Sequence, residues 1–174
     1  GDSLPALMRQ ARKEKTMDRK ELDKILQDHK RWLQRSDGWS AEDISELTAE
    51  DLRGMDLRGV ELPRANLFAA DLRGANLQDA ILYEANLRGA DLQGANLRGA
   101  ILWGAVLWEA DLRHVDFSGA DMRGAVLLCA DLRYANLLGA DLQDADLQYV
   151  DWENANLKDA NLSGAILWGN GAKL

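Results

Sequence analysis

The chain has 174 residues, 47% of them apolar, and a formal net charge of −8. That acidic balance argues against a general nucleic-acid binder, which needs a basic surface. One cysteine and two histidines exclude an internal disulfide framework and argue against a structural zinc site or histidine-based catalysis. In chain order, residues 1–49 form a helical N-terminal cap or arm, 50–169 a repeat body, and 170–174 a C-terminal tail. In the arm, Leu4, Leu7, Met8 and Ala11 share one helical face. Asp18 is placed to cap a second helix, with Glu21 three residues on as its capping-box partner. The apolar stripe of that helix is Leu22, Ile25, Leu26, His29, Trp32 and Leu33, the spacing of one helix face. Ser36-Asp37-Gly38 stops it, and Ser40 with Asp43 starts a short third helix. The stretch 9–35 is basic on balance and the stretch 50–174 is acidic, so a basic arm precedes an acidic body.

From Leu52 to Leu167 every fifth residue is a centre of the same kind, 24 in unbroken phase. Twenty-one are Leu, and the others are Phe117, Met122 and Trp152. Ala stands two residues before 19 of the 24 centres, and Asp, Asn or Glu one residue before 19 of them. Gly stands two residues after 12 of them. A period of five fits neither a helix, whose leucines would smear around every side, nor a flat strand, whose leucines would alternate faces. The chain must therefore turn once per repeat. Ala and Leu, two apart on an extended segment, point inward together, and the polar residue between them points out. Gly marks the bend and suits a turn with positive φ, such as type II. Small Ala lets neighbouring backbone approach, and large Leu fills the axis.

Stretches such as Ala85-Asn86-Leu87-Arg88-Gly89 and Ala90-Asp91-Leu92-Gln93-Gly94 resemble the consensus of the pentapeptide-repeat family residue for residue. The resemblance implies an all-β solenoid, a right-handed quadrilateral β-helix with four repeats per coil. On that reading the 24 repeats make about six coils, at about 4.8 Å per coil. The stretch from Lys24 to Leu33 looks like a leader that precedes some bacterial pentapeptide arrays. The sequence carries its own sign of a twenty-residue coil. The residues before every fourth centre are Asp51, Asp71, Asp91, Asp111, Asp131 and Asp151. The residues after those centres are Arg53, Arg73, Gln93, Arg113, Arg133 and Glu153, so a column of Asp runs beside a column rich in Arg. Such a ladder relieves its own repulsion, and each exposed pair contributes about 0–1 kcal/mol.

The faces differ. The apolar exceptions before a centre are Ile81, Ile101, Val106, Val126 and Ile166, all on the third and fourth faces. Outward residues after those centres are Tyr83, Trp103, Trp108, Leu128 and Trp168. Pro63 and Phe68 begin the same two columns. The expected partner-binding surface is Ile81, Tyr83, Ile101, Trp103, Val106, Trp108, Val126 and Leu128. Large exposed apolar patches mean contact with something. Two occupants compete, the N-terminal arm of the same chain and a separate protein partner.

No phosphate-binding loop and no nucleophile elbow is present, and the stacked carboxylates read as solvated ladders. The chain therefore reads as no enzyme, with no cofactor and no metal. His29 lies on or beside the apolar stripe of its helix without a Cys or His at metal spacing, and reads as a packed side chain. Cys129 sits at a turn position and reads as an unreactive thiol. The leading function is a non-catalytic protein-binding scaffold in the bacterial cytoplasm. The resemblance also implies an alternative. Some family members, those giving quinolone resistance, mimic a DNA duplex and bind DNA gyrase. Against that stand the Arg column, the unbroken phase and the short stretch after Trp168. A peripheral membrane binder using the basic helix of 18–35 is a second alternative. Nothing in the chain is long and apolar enough to span a bilayer. Trp152 and Trp168 mark the last coil as an expected dimer end, since open sheet edges invite pairing.

Overall fold

A computed structural model describes residues 17–34, 47 and 51–169. The proposed first helical face at Leu4–Ala11, the third helix at Ser40–Asp43 and the tail 170–174 lie outside the described residues, as does the side chain of Trp32.

The body is a β-helix solenoid. An unbroken series of parallel bridges, from Asp51↔Asp71 to Asp146↔Ile166, joins each residue before a centre to the one twenty further on. Four bridged sides therefore complete one turn of the chain. Three backbone bonds tie coil to coil on each side, as in Leu72 N–H to Asp91 O (2.7 Å), Gly74 N–H to Gln93 O (2.9 Å) and Asp91 N–H to Ala70 O (2.9 Å). Within a repeat the Ala75 N–H closes a turn on Leu72 O at 3.0 Å. The third residue of every such turn has positive φ, between 54° and 86°, whether or not it is glycine. A positive φ at that position is the mark of a type II turn.

Two details explain why the repeat uses the residues it does. Centre and Ala positions are sealed inside from Ala65 to Val150. The residue between them is Asp or Asn because its Oδ1 accepts the N–H two residues on, as at Asp71–Arg73 (3.3 Å) and Asn86–Arg88 (3.2 Å). This Asx contact pre-shapes the turn. Asn side chains also bond along the stack, as Asn96 Nδ2 does to Asn76 Oδ1 at 3.0 Å.

Helix α1 (Arg19–Leu33) precedes the solenoid. Asp18 Oδ1 accepts the Glu21 N–H (2.9 Å) and Glu21 Oε2 accepts the Asp18 N–H (3.2 Å), a reciprocal capping box. Lys30 and Arg31 in its last turn complement the helix dipole. Leu22 is fully buried, and Ile25 and Leu26 pack in the same cluster as Met55 and Val60 of the first coil. Those two residues are larger than the Ala of later coils. The arm was one expected cover for the apolar surface. The hydrogen bonds of α1 to the body go instead to Asp56 and Pro63, so it docks on the end of the first coil. The reason is that the first coil offers α1 the carbonyls of Asp56 and Pro63, whereas the backbone of the third and fourth faces is taken up by coil-to-coil bonds. Leu47 is also fully buried, and its N–H bonds Asn66 O at 2.9 Å, the same step that joins Leu52 to Asp71. The register of the solenoid thus reaches one centre before Leu52.

Candidate interaction surface

The apolar surface is built by stacking. Because each coil repeats the last at twenty residues, like positions lie above one another. Ile81 is bridged to Ile101, and Val106 to Val126, so two short apolar rows form on adjacent sides. All four are half-buried. Beside the first row the rings of Tyr83 and Trp103 stack with centroids 4.7 Å apart and planes 2° off parallel. The coil spacing imposes that separation, and aromatic pairs so placed add about 0.5–1.5 kcal/mol beyond area. Beside the second row the Arg88 guanidinium lies 3.9 Å over the Trp108 ring, a cation–π contact. Leu128 follows Trp108 in the same column, half-buried. Trp103 is 36% exposed, the most open member of the cluster.

Ion pairs flank the cluster. Arg64 pairs with Glu84 on one corner, and Arg88 reaches Glu109 at 3.7 Å on the other. An apolar centre with a polar rim is the anatomy of a protein interface. The four β-branched residues also forgo something. Ile81, Ile101, Val106 and Val126 have no side-chain oxygen to accept the N–H of Tyr83, Trp103, Trp108 and Leu128. Each of these turns therefore lacks the Asx bond that its neighbours have.

The structure brings all eight expected contact residues into one diagonal patch. It keeps Trp168 apart, since Asp146 and Gln148 interrupt the two columns before Ile166 and Trp168. Trp168 is 75% exposed, whereas Trp152 is a half-buried core position on another side. One contact was not among the sequence expectations: His114 and Tyr134 stack at 5.0 Å on a turn column that is otherwise Gly or Asn. Their separation of twenty was the available signal. Cys129 is exposed, at φ 58°.

The Asp–Arg face is paired throughout its Arg rungs. Arg53, Arg73, Arg113 and Arg133 each grip their own Asp and reach the next with Nε at 3.4–3.7 Å. Elsewhere the Arg58 guanidinium, hydrogen-bonded to Asp56, holds that carboxyl at about 2. The same kind of bond from Arg123 lowers Asp121. Among the described residues no group of His, Cys, Asp or Glu side chains suits a metal ion. No helix among them is long and apolar enough to cross a membrane.

The family model for pentapeptide repeats matches in eight copies, across residues 65–104, 90–127, 110–148 and 135–169. The chain belongs to the pentapeptide-repeat family. Among solved structures it is similar to a pentapeptide repeat protein from Nostoc Pcc 7120, at 40% identity over 62% of this chain and 84% of that one, TM-score 0.38. It is also similar to a pentapeptide repeat protein of the Arabidopsis thaliana thylakoid lumen, at 35% identity over 66% of each chain, TM-score 0.23. QnrB1, a plasmid-mediated fluoroquinolone resistance protein, matches at 18% identity over 64% of this chain and 79% of that one, TM-score 0.37. No curated protein matches the sequence. A pentapeptide repeat is a scaffold of stacked turns, and its chemistry is carried by what each face displays.

Proposed function

We propose that this chain is a non-catalytic protein-binding scaffold, a right-handed quadrilateral β-helix of about six coils whose third and fourth faces carry the contact surface. The observation that carries this reading is the exchange of Asx-turn residues for Ile81, Ile101, Val106 and Val126 where they flank Tyr83, Trp103, Trp108 and Leu128. A solenoid needs only polar residues at those outward positions. Apolar ones give up turn hydrogen bonds and leave aromatic surface half open, which benefits the molecule when a partner covers it. The partner is a protein with an apolar surface of matching size and mixed charges at its edge, to meet Arg64–Glu84 and Arg88–Glu109.

The test compares proteins retained from a cell extract by the parent chain, by Ile101→Asn with Val126→Asn, and by Arg58→Gln on a different face. Partners held by the parent and by Arg58→Gln but lost by the Asn pair support the surface. Equal retention by all three defeats it. A gyrase supercoiling assay addresses the duplex-mimic alternative directly; the paired Arg rungs on the Asp face work against it, because they cancel the charge a mimic must display.

A further inference from the structure

Where Asp or Asn precedes a centre, its Oδ1 accepts the N–H two residues on, as Asn86 does from Arg88 at 3.2 Å and Asp91 from Gln93 at 3.2 Å. Where Ile or Val stands instead, that N–H is left over. Among the described residues the N–H groups of Tyr83, Trp103, Trp108 and Leu128 meet no acceptor. They face outward, because the oxygen that meets such an N–H elsewhere belongs to an outward side chain. The carbonyls of the same residues are all taken. Tyr83 O accepts from Arg64 at 2.8 Å, Trp103 O from Glu84 at 2.9 Å, Trp108 O from Gly89 at 2.8 Å and Leu128 O from Glu109 at 3.0 Å. The patch thus offers backbone donors without backbone acceptors.

Arg88 adds a cation with donors to spare. Arg58, Arg73 and Arg123 each stand two residues after an Asp and grip it. Arg88 stands after Asn86, lies 3.9 Å over the Trp108 ring and reaches Glu109 only at 3.7 Å. Its Nε is buried and meets no acceptor among the described residues. The corner between the two apolar rows is bare at Gly104 and Gly124, and a Cβ added at Gly124 would meet nothing within 4 Å. An occupant can therefore approach both rows at once.

We propose that the occupant of this patch is an acidic amphipathic helix of a partner protein, whose Asp and Glu oxygens take the place of the missing Asx oxygens and pair with Arg88. The inference rests on the protein-binding reading above and adds what the partner must present. An ionised carboxylate accepts and never donates, which is what a donor-only surface requires. A strand brings N–H groups and carbonyls in alternation, and its N–H groups find no carbonyl here. Spacing points the same way. The Tyr83 and Trp103 rings are 4.7 Å apart, close to the coil rise of about 4.8 Å. A helix repeats a face about every 5.4 Å, so the mismatch over two steps is ~1 Å, whereas one side of a strand recurs only every ~6.8 Å. A nucleic-acid strand also offers acceptor-only phosphates. Glu84 and Glu109 beside the patch, on a chain of net charge −8, repel such a polyanion.

The experiment uses the full chain and labelled peptides of about four helical turns, read by fluorescence anisotropy. One peptide carries Leu at helical spacing and Glu on the flanks of that stripe. A second has Gln for Glu. A third has the composition of the first in strict apolar–polar alternation, and a single-stranded oligonucleotide is the last probe. The acidic helix is expected to bind and to gain helicity by circular dichroism. The Gln helix is expected to bind about tenfold more weakly, and the alternating peptide and the oligonucleotide not at all. Arg88→Gln is expected to weaken the acidic helix about tenfold and leave the Gln helix nearly unchanged, the mark of a direct pair. Arg98→Gln, on another side, is expected to change neither. Equal binding of the acidic and Gln helices overturns the proposal, as does tighter binding of the alternating peptide or the oligonucleotide. Binding by no probe overturns it too, and the extract comparison above then decides separately whether the protein-binding reading stands.

Discussion

Leu97 is fully buried while Arg98, one residue on, is exposed, so neighbouring positions have opposite tolerance. Burying a leucine contributes about 1.5–3 kcal/mol, and a carboxylate in its place would lack both water and a partner. Leu97→Asp is expected to abolish cooperative unfolding, and Arg98→Gln to leave the thermal midpoint nearly unchanged; equal midpoints would reverse the inward assignment. The turns follow a second rule. Gly74 has φ +64°, and a Cβ added there would meet nothing within 4 Å, so crowding is not the issue. Gly74→Ala is expected to cost about 1 kcal/mol from left-handed backbone strain alone, read from denaturant midpoints. The glycines at the bend are visible in the sequence. That Asp79, Glu109 and Tyr134 adopt the same φ without being glycine is not. The coil-to-coil hydrogen bonds hold them there, and those form only when the solenoid closes on itself.

At the scale of an element, α1 and the Asp–Arg columns are both sensitive to pH, for different reasons. His29 is sealed against Pro63, and burial lowers its tendency to protonate below the usual 6.5. The neutral form is favoured in the docked state, so docking is complete above about pH 6.5 and weakens as pH falls towards the lowered value. Hydrogen exchange of α1 is expected to rise in acid in the parent, and to stay level in His29→Gln, whose side-chain amide still donates. The carboxylates behave oppositely in origin but alike in direction. The Arg123 hydrogen bond lowers Asp121 below its ordinary 3.8, so its contribution is present above about pH 4 and lost as pH falls through the folded value. A thermal melt series below about pH 4 is expected to decline less steeply in Arg123→Gln than in the parent. The capping box of α1 is written locally in Asp18 and Glu21. Where the helix docks is not, because Leu22 and Ile25 would suit any apolar surface.

For the whole molecule, the bridges at a step of twenty make a coil the unit that can be added or removed. Deleting 91–110 joins Ala90 to Asp111 and keeps every column on its own side. Stability in such a stack is a sum of coils and their interfaces, so the shortened chain is expected to fold with a smaller urea m-value, in proportion to the lost surface. Deleting 91–100 keeps the five-residue repeat but places Ile101 over Asp71. That variant is expected to unfold at lower urea than the twenty-residue deletion, although it is longer. If the two lie in order of length alone, register between columns contributes nothing.

The sequence by itself determined the inward and outward positions, the turn every five residues and the twenty-residue column of Asp51 to Asp151. Each of these follows from short-range geometry repeated without interruption, so one-dimensional order is enough to expose it. It also named the residues of the apolar patch, since residues twenty apart must stack. Only the tertiary structure decided that Tyr83 and Trp103 lie ring on ring, that Arg88 covers Trp108, and that Asp and Asn shape the turns through Oδ1. It alone decided that α1 docks on the first coil and not over that patch. The physical reason is that an amphipathic helix encodes how much apolar surface it must bury but not which surface. That choice is made by the carbonyls of Asp56 and Pro63, which stand together as acceptors only once the first coil has wound.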